Sequence, residues 1–237
     1  MTADERNAGQ RHGRGMRIIL TGATGLVGGE VLRQALADPR VGQVTVLTRR
    51  TLGIRDPRLR ELILADFLDY APVGDALDAD ACIWCLGVSQ TAVGPQDYLR
   101  ITLDYPVAAA QALFARNPGM RFCFVSGAGA DPQERTAVLY RRIKGRAENR
   151  LRAISPNAFS FRPAFIRPPA GRRRPLVVKL YTPLADVMDR FTDGFSVECA
   201  QLARCLLDVA GHGTDQPMLD NRTIKNWATP AFRSPHF

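Results

Sequence analysis

Two spacings in this sequence could do chemistry. The first is YRRIK, which sets Tyr140 and Lys144 four residues apart. On a helix such residues project from one face. A free phenol titrates near pH 10, about three units too high for proton exchange at neutrality. An ammonium beside a phenol favours the phenolate, which is the adjustment acid–base catalysis needs. Upstream, Ser126 closes the apolar run of FVSGAG. From a strand end its hydroxyl could hold a substrate carbonyl beside Tyr140. Taken alone, the Tyr–Lys pair also suits an ordinary surface helix.

The second spacing is TGATGLVGG, with Gly22, Gly25 and Gly28. It follows the apolar run RIILT and opens a helical pattern, the context expected of a dinucleotide-binding turn. Gly22 would allow the tight turn, Gly25 the approach of a pyrophosphate, and Gly28 helix packing against the sheet. A helix N-terminus then offers free N–H groups and partial positive charge to phosphates. The spacing departs from the commoner Gly-x-Gly-x-x-Gly, and a packing turn without ligand is the plainer alternative. The following strand ends in Thr48–Arg49–Arg50, where an NAD site usually carries an acid. Two guanidinium groups suit a 2′-phosphate, so NADP(H) is expected over NAD(H); a solvated turn is the alternative. Asp66, at the end of a third strand, could accept from an adenine amine or cap the next turn.

These residues need elements to position them. Apolar runs predict strands at 17–21, 43–48, 61–66, 81–87, 121–127 and 158–166. Helical spacing predicts helices over 26–37, 96–116 and 133–154. Several strands are continuously apolar, as in a parallel sheet covered on both faces. The pattern predicts an α/β fold, a doubly wound parallel sheet of Rossmann type over residues 16–166. Residues 1–15 read as a disordered tail, and 167–237 as a small C-terminal lobe that completes the domain and the substrate pocket. In that lobe Ala200, Ala203, Leu206, Leu207 and Ala210 are expected to face inward. A helix interrupted near Pro183 and a short strand PMLD are expected there too.

Composition narrows the partners. Lys+Arg number 32 against 23 Asp+Glu, a net charge of +9. No nucleic-acid recognition motif accompanies that charge, so a soluble charged surface is the plainer reading and no nucleic-acid partner is expected. The glycine turn, the two arginines and the Ser126, Tyr140 and Lys144 set point to a small carbonyl substrate, with homo-oligomer formation left open. The run Arg172–Arg174 either attracts an anionic substrate or is a solvated loop. The polar start carries no apolar leader segment, and no stretch approaches the ~18 apolar residues of a membrane helix; a cytoplasmic protein is expected. Cys82 and Cys85 form a CxxC on a strand, where residues three apart face opposite sides. His12, His212 and His236 lie near no motif, and no metal is expected.

Together the blocks TGATGLVGG, VTVLTRR, LADFLDY, CLGVSQ, LRITLDYP, FVSGAGAD, YRRIKGRAE and FRPAF resemble the short-chain dehydrogenase/reductase superfamily. The branch they resemble is the atypical one, among the Tat-interacting-protein-like oxidoreductases. The similarity runs from about Met16 to Ile166, with a weaker match in FSVECAQLARCLL. It implies a Rossmann fold that binds NADPH and transfers hydride to or from a carbonyl or alcohol. On that pattern Ser126 orients and polarises the carbonyl, and Tyr140 donates the proton. Lys144 eases that proton's loss and holds the nicotinamide ribose. The resemblance also implies a cofactor site along Gly22, Ala23, Thr24, Gly25, Leu26, Val27 and Gly28, with Arg49, Arg50, Asp66 and Phe67. Leu86 and Gly87 would pass beside it, and Pro163, Ala164 and Ile166 would flank the nicotinamide. Thr102 stands about where many members carry a relay asparagine, and Ala164 where a glycine is common. A chain that binds NADP(H) as a sensor or scaffold, without turnover, is the alternative function.

Overall fold

The computed structural model describes residues 15–169 and 195–228. The expected N-terminal tail up to residue 14, the Arg172–Arg174 run, the helix near Pro183, His12 and His236 lie outside the described residues.

Strand β1 (Met16–Thr21) leads through the glycine turn into helix α1 (Leu26–Ala37). The helix has the bounds its apolar spacing predicts, and Val31, Leu32 and Ala35 are buried on it. At its far end the Arg58 guanidinium donates to the carbonyls of Leu36, Asp38 and Val41. That satisfies carbonyls a helix terminus leaves without partners.

Strands β2 (Val41–Thr48) and β3 (Leu59–Ile63) follow, joined by a polar connection without a helix. Only a 3-10 turn (Ala71–Ala76) precedes β4 (Ala81–Trp84). Strand–helix alternation is therefore incomplete at this edge. No residue of β3 is fully buried, and Ile63 is exposed, so the edge strand does not need a covering helix.

Residues 95–116 are not one helix. They form α2 (Pro95–Leu99), a π-helical turn (Arg100–Asp104) and α3 (Tyr105–Arg116). Pro106 explains the break. It has no N–H for the Thr102 carbonyl four residues back, and its ring crowds that carbonyl. The turn widens, and the Tyr105 N–H reaches the Arg100 carbonyl instead.

Strand β5 (Arg121–Val125) and helix α4 (Leu139–Ile154) come next. The helix starts later than the predicted residue 133. The Asp131 carboxylate accepts from the amides of Gln133 (3.0 Å) and Thr136 (2.8 Å), and Glu134 sits at φ 57°. That local turn excludes a helix there. The predicted strand 158–166 splits at Pro163 into β6 (Ala158–Arg162) and β7 (Phe165–Arg167). After the undescribed segment come β8 (Ser196–Glu198), α5 (Cys199–His212), β9 (Met218–Asp220) and α6 (Asn221–Lys225).

The main sheet has the order β3-β2-β1-β4-β5-β6-β9, with every pair parallel. This is the doubly wound α/β sheet the sequence predicts. Within residues 195–228, β9 is the seventh strand of this sheet, and α5 packs on it beside α1. On α5, Ala203, Leu206, Leu207 and Ala210 are buried as expected, but Ala200 is only partly so. Strand residues divide between two apolar layers. Ile18, Leu20 and Ile83 pack toward α1 and α5, while Ile19, Phe122 and Trp84 pack toward α3 and α4. Cys82 belongs to the second layer and Cys85 packs against the first, so the CxxC thiols face opposite sides of the sheet. Among the described residues no helix is long and apolar enough to cross a membrane.

Candidate active site

The glycine turn is built by close approach. Gly22 has φ +69°, and a β-carbon there would lie 2.6 Å from the carbonyl of Cys85. A β-carbon on Gly28 would lie 2.2 Å from the Gly22 carbonyl oxygen, and one on Gly25 would lie 3.1 Å from the same atom. Gly28 thus seats the helix on the turn itself rather than on the sheet. The Thr21 hydroxyl accepts from the Leu86 amide at 3.1 Å, which ties the ends of β1 and β4 together. Gly25 is the N-cap of α1, without a side-chain cap and without an acid in the first turn. The amides of Leu26, Val27 and Gly28 therefore point outward with the helix's partial positive charge.

The turn before α1 borders a cleft of about 390 Å³. Gly22, Ala23 and Thr24 form one wall, Leu47 to Arg50 the other, and Phe67 and Leu86 close it. Leu47 and Thr48 are lining residues that sequence reasoning missed; their place just before the two arginines was the available signal. The Thr48 hydroxyl donates to the Arg50 carbonyl at 2.8 Å and shapes the turn. Arg49 and Arg50 are exposed. Neither guanidinium has a hydrogen-bond or ion-pair partner among the described residues.

Asp66 lies beyond the end of β3. Its carboxylate accepts from the Leu68 amide at 3.0 Å and pairs with Arg100 at 3.3 Å. It caps its turn, the second of its two expected roles. Phe67 is buried with its ring edge-on to Trp84, 6.1 Å between centroids. A β-carbon on Gly87 would meet nothing within 4 Å, so this stretch of backbone is open. Uncapped amides, a backbone turn that side chains would fill, and partnerless cations make a donor set that fits a dinucleotide.

At the neighbouring strand end, α4 brings Tyr140 and Lys144 against the loop after β5. A β-carbon on Gly127 would lie 3.7 Å from the Lys144 stem and 3.8 Å from the Tyr140 ring. Tyr140 stands in the first turn of α4, its amide donating to the Gln90 side chain at 3.1 Å. Its hydroxyl donates to the Ala128 carbonyl at 2.5 Å. The Lys144 ammonium donates to the carbonyls of Val125 and Ser126, each at 3.0 Å, and lies 5.3 Å from the Phe124 ring centroid. Burial pulls its pKa down to about 8, with the Glu148 charge opposing. An ammonium has three donors, so one remains.

Ser126 departs from expectation. Its hydroxyl does not point to a substrate position but donates to the Glu148 carboxylate at 2.5 Å. Both residues are buried. Glu148 in turn accepts from the Arg162 guanidinium at 2.9 Å and 3.2 Å through Nε, and again through Nη2. Sequence reasoning missed Glu148. The signal was its spacing, one helical turn past Lys144 and two past Tyr140.

The expected nicotinamide-flanking residues also brace the site. The Pro163 carbonyl accepts from the Ala128 amide at 2.9 Å, and the Ala164 amide donates to the Asn221 side chain at 2.8 Å. Ile166 lies in β7 opposite Val197. Thr102 is buried on the π-turn. Burial pushes the Tyr98 phenol's pKa up, and Tyr140 adds to that effect. Among the described residues no group of His, Cys, Asp and Glu could hold a metal ion.

Residues 18–144 match the model of the NAD dependent epimerase/dehydratase family. Protein HTATIP2 of Rattus norvegicus is 26% identical over 87% of this chain and 87% of its own. Leucinostatins biosynthesis cluster protein T of Purpureocillium lilacinum is 33% identical over 57% of this chain, which spans about half that relative's length. Among solved structures, Gre2 of Candida albicans in complex with NADPH superposes with a TM-score of 0.66 at 16% identity, covering 87% of this chain and 78% of that one. WbmH of Bordetella bronchiseptica in complex with NAD+ gives 0.61 at 18%, covering 83% and 72%. The fold is shared with both.

One expectation is overturned. Protein FMP52 of Candida albicans, 27% identical over 56% of this chain and 59% of its own, is named as mitochondrial, as are relatives in Emericella nidulans and Aspergillus clavatus. These names point away from the cytoplasmic location read from composition, because an apolar leader is only one of several routes out of the cytosol. The motif resemblance stands, and the chain belongs to the NAD dependent epimerase/dehydratase family of Rossmann-fold proteins.

Proposed function

We propose that the protein is an NADP(H)-dependent oxidoreductase acting on a small carbonyl or alcohol, with Tyr140 exchanging the proton. The observation that carries the cofactor choice is the pair Arg49 and Arg50, exposed on the cleft rim with no partner among the described residues. Each guanidinium can give charge-assisted, bidentate bonds to a 2′-phosphate. The first-turn amides of α1 would take the diphosphate. The bound nicotinamide supplies or accepts the hydride.

This chain's own residues position and exchange the proton. The Tyr140 hydroxyl, now on the Ala128 carbonyl, turns that donor bond to the substrate oxygen. Lys144 holds a positive charge at the carboxyl end of β5 and keeps a donor free for a ribose hydroxyl. Its charge favours negative charge gathering on a nearby oxygen. Phe67 and Leu86 present apolar surface to the cleft and limit water there. The compartment is read from the fungal relatives, whose names are mitochondrial.

A second reading, NADP(H) binding without turnover, draws on the fact that the hydroxyls of Tyr140 and Ser126 both already have internal acceptors. One experiment separates the two. NADPH and NADH are titrated by nucleotide fluorescence, and a panel of aldehydes and ketones is then assayed with the preferred one. Tighter NADPH binding, with turnover that Tyr140→Phe removes, supports the oxidoreductase. NADPH binding without turnover of any panel member supports the second reading, and preference for NADH removes the role given to the arginines.

A further inference from the structure

Glu148 is a buried carboxylate that the proposed proton exchange does not use. It is 7% exposed, on a helix whose other charged side chains are all basic. It stands one helical turn past Lys144, on the same face. Two partners anchor it from other elements. From β6, the Arg162 guanidinium reaches both carboxylate oxygens, through Nε at 2.9 Å and 3.2 Å and through Nη2 besides. From the end of β5, the Ser126 hydroxyl donates to it at 2.5 Å. The Ser126 amide is held by the Phe161 carbonyl at 2.8 Å, and the Ser126 carbonyl accepts from the Lys144 ammonium at 3.0 Å. Glu148 and Lys144 therefore share a bonded neighbour as well as a helix face.

We infer that Glu148 is a positioning residue for Lys144, anchored by Arg162 and Ser126 so that its charge and the Ser126 carbonyl together fix the ammonium at the end of β5. The inference rests on the proposed reading of Lys144 as the cation beside Tyr140, and it deepens that reading. The ammonium needs this support because it is desolvated. Burial pulls its pKa down to about 8, and Glu148 is the charge that opposes the fall. Among the described residues the other groups around it bring no counter-charge. Tyr140 and, beyond it, Tyr98 of α2 are phenols. The Val125 and Ser126 carbonyls and the Phe124 ring are neutral. Arg162, behind Glu148, is itself a cation, and Asp131 acts on Arg162 rather than on Lys144. Without Glu148 the lysine would shed its proton closer to neutrality. The site would then lose the positive charge beside Tyr140 and the donor kept for a ribose hydroxyl.

Glu148→Gln removes the charge and keeps an oxygen that can accept from Arg162. The first measurement is NMR titration of the ligand-free full chain carrying isotope-labelled lysine. The other lysines are Lys179 and Lys225, and Lys144→Met assigns the signal. The native midpoint should lie near 8. In Glu148→Gln it should fall by about one unit or more, the effect of losing an opposite charge at close range. A merely structural role would loosen the site, admit water and raise the midpoint toward the ordinary lysine value. An unchanged or raised midpoint therefore overturns the inference. The second measurement is NADPH affinity by fluorescence. Glu148→Gln should bind about threefold or more weakly than the native chain at about pH 8 and equally well at about pH 6, where both lysines are charged. Equal loss at both pH values overturns the inference. If the native chain binds no NADPH, the cofactor reading fails, and the lysine titration decides the role of Glu148 by itself. If Glu148→Gln does not fold, Ser126→Ala cuts the anchor alone. The Lys144 ammonium protons should then exchange with water about threefold or more faster than in the native chain, and an unchanged rate overturns the inference.

Discussion

Gly145 of α4 lies so close to Asp131 that a β-carbon on it would stand 2.0 Å from the Asp131 carbonyl oxygen. The helix that carries Tyr140 and Lys144 thus rests directly on the backbone of the loop that carries Ser126 and Ala128. The Asp131 amide donates back to the Arg141 carbonyl at 2.9 Å, and Arg146 pairs with Glu134 in the same loop. Helix and loop form one unit.

Gly145→Ala should break that unit. Alanine would gain about 1 kcal/mol of helix propensity, but the clash is with backbone, which cannot rotate away, and overpacking costs about 1–3 kcal/mol or more. The net expectation is a lower melting temperature and a larger loss in kcat than in NADPH affinity. Thermal unfolding and steady-state kinetics read both.

Gly28→Ala should act on the other half of the site. A β-carbon 2.2 Å from the Gly22 carbonyl pushes α1 off its turn. NADPH affinity should fall by about tenfold or more, the effect of misplacing two or three amide donors. A fluorescence titration measures it.

Tyr140→Phe removes the hydroxyl that donates to Ala128. That bond contributes about 1 kcal/mol to folding, so the variant should stay folded. General acid–base exchange contributes about 10²–10⁴-fold, and turnover should fall by that order. Circular dichroism and NADPH oxidation with a carbonyl substrate check the two parts.

Lys144 makes the ligand-free fold pH-dependent. Its pKa falls from 10.5 to about 8 on folding because its ammonium is desolvated. Below about pH 8 both states are protonated and the full penalty is present. Between about 8 and 10.5 the unfolded chain keeps a proton that the folded chain has lost, so stability rises with pH. The native chain should gain about 1–3 kcal/mol relative to Lys144→Met across that window. Urea denaturation of both proteins at pH 7.5 and pH 10 reads the difference.

How much of this was legible depended on how local each feature is. The glycine turn and α1 were readable because Gly22, Gly25, Gly28 and the apolar residues after them set their structure within one element. The Tyr140–Lys144 face was readable for the same reason. The widened turn at Thr102 was signalled by Pro106 but hidden by an apolar pattern that continues through it. Glu148 stands in the charged run KGRAENR, and its spacing from Lys144 and Tyr140 gives the helix face it shares but not its burial. It is buried only because Arg162 reaches it from β6 and Ser126 from the end of β5, and periodicity along one helix carries no trace of partners on two strands. The short strand PMLD was readable and is β9, but its place as the seventh strand of the sheet was hidden likewise, since the pairing of β9 with β6 joins Met218 to Ser160 across a long stretch of chain.

The most direct measurement is calorimetric titration of NADPH and of NADH into the native chain and into the double variant Arg49→Ser with Arg50→Ser. The native chain should bind NADPH about 10–100-fold more tightly than NADH, the worth of one or two charge-assisted bonds. The double variant should lose that preference and keep its NADH affinity. Equal affinity of the native chain for both nucleotides, or no binding of either, would contradict a cleft built to hold a 2′-phosphate between those arginines.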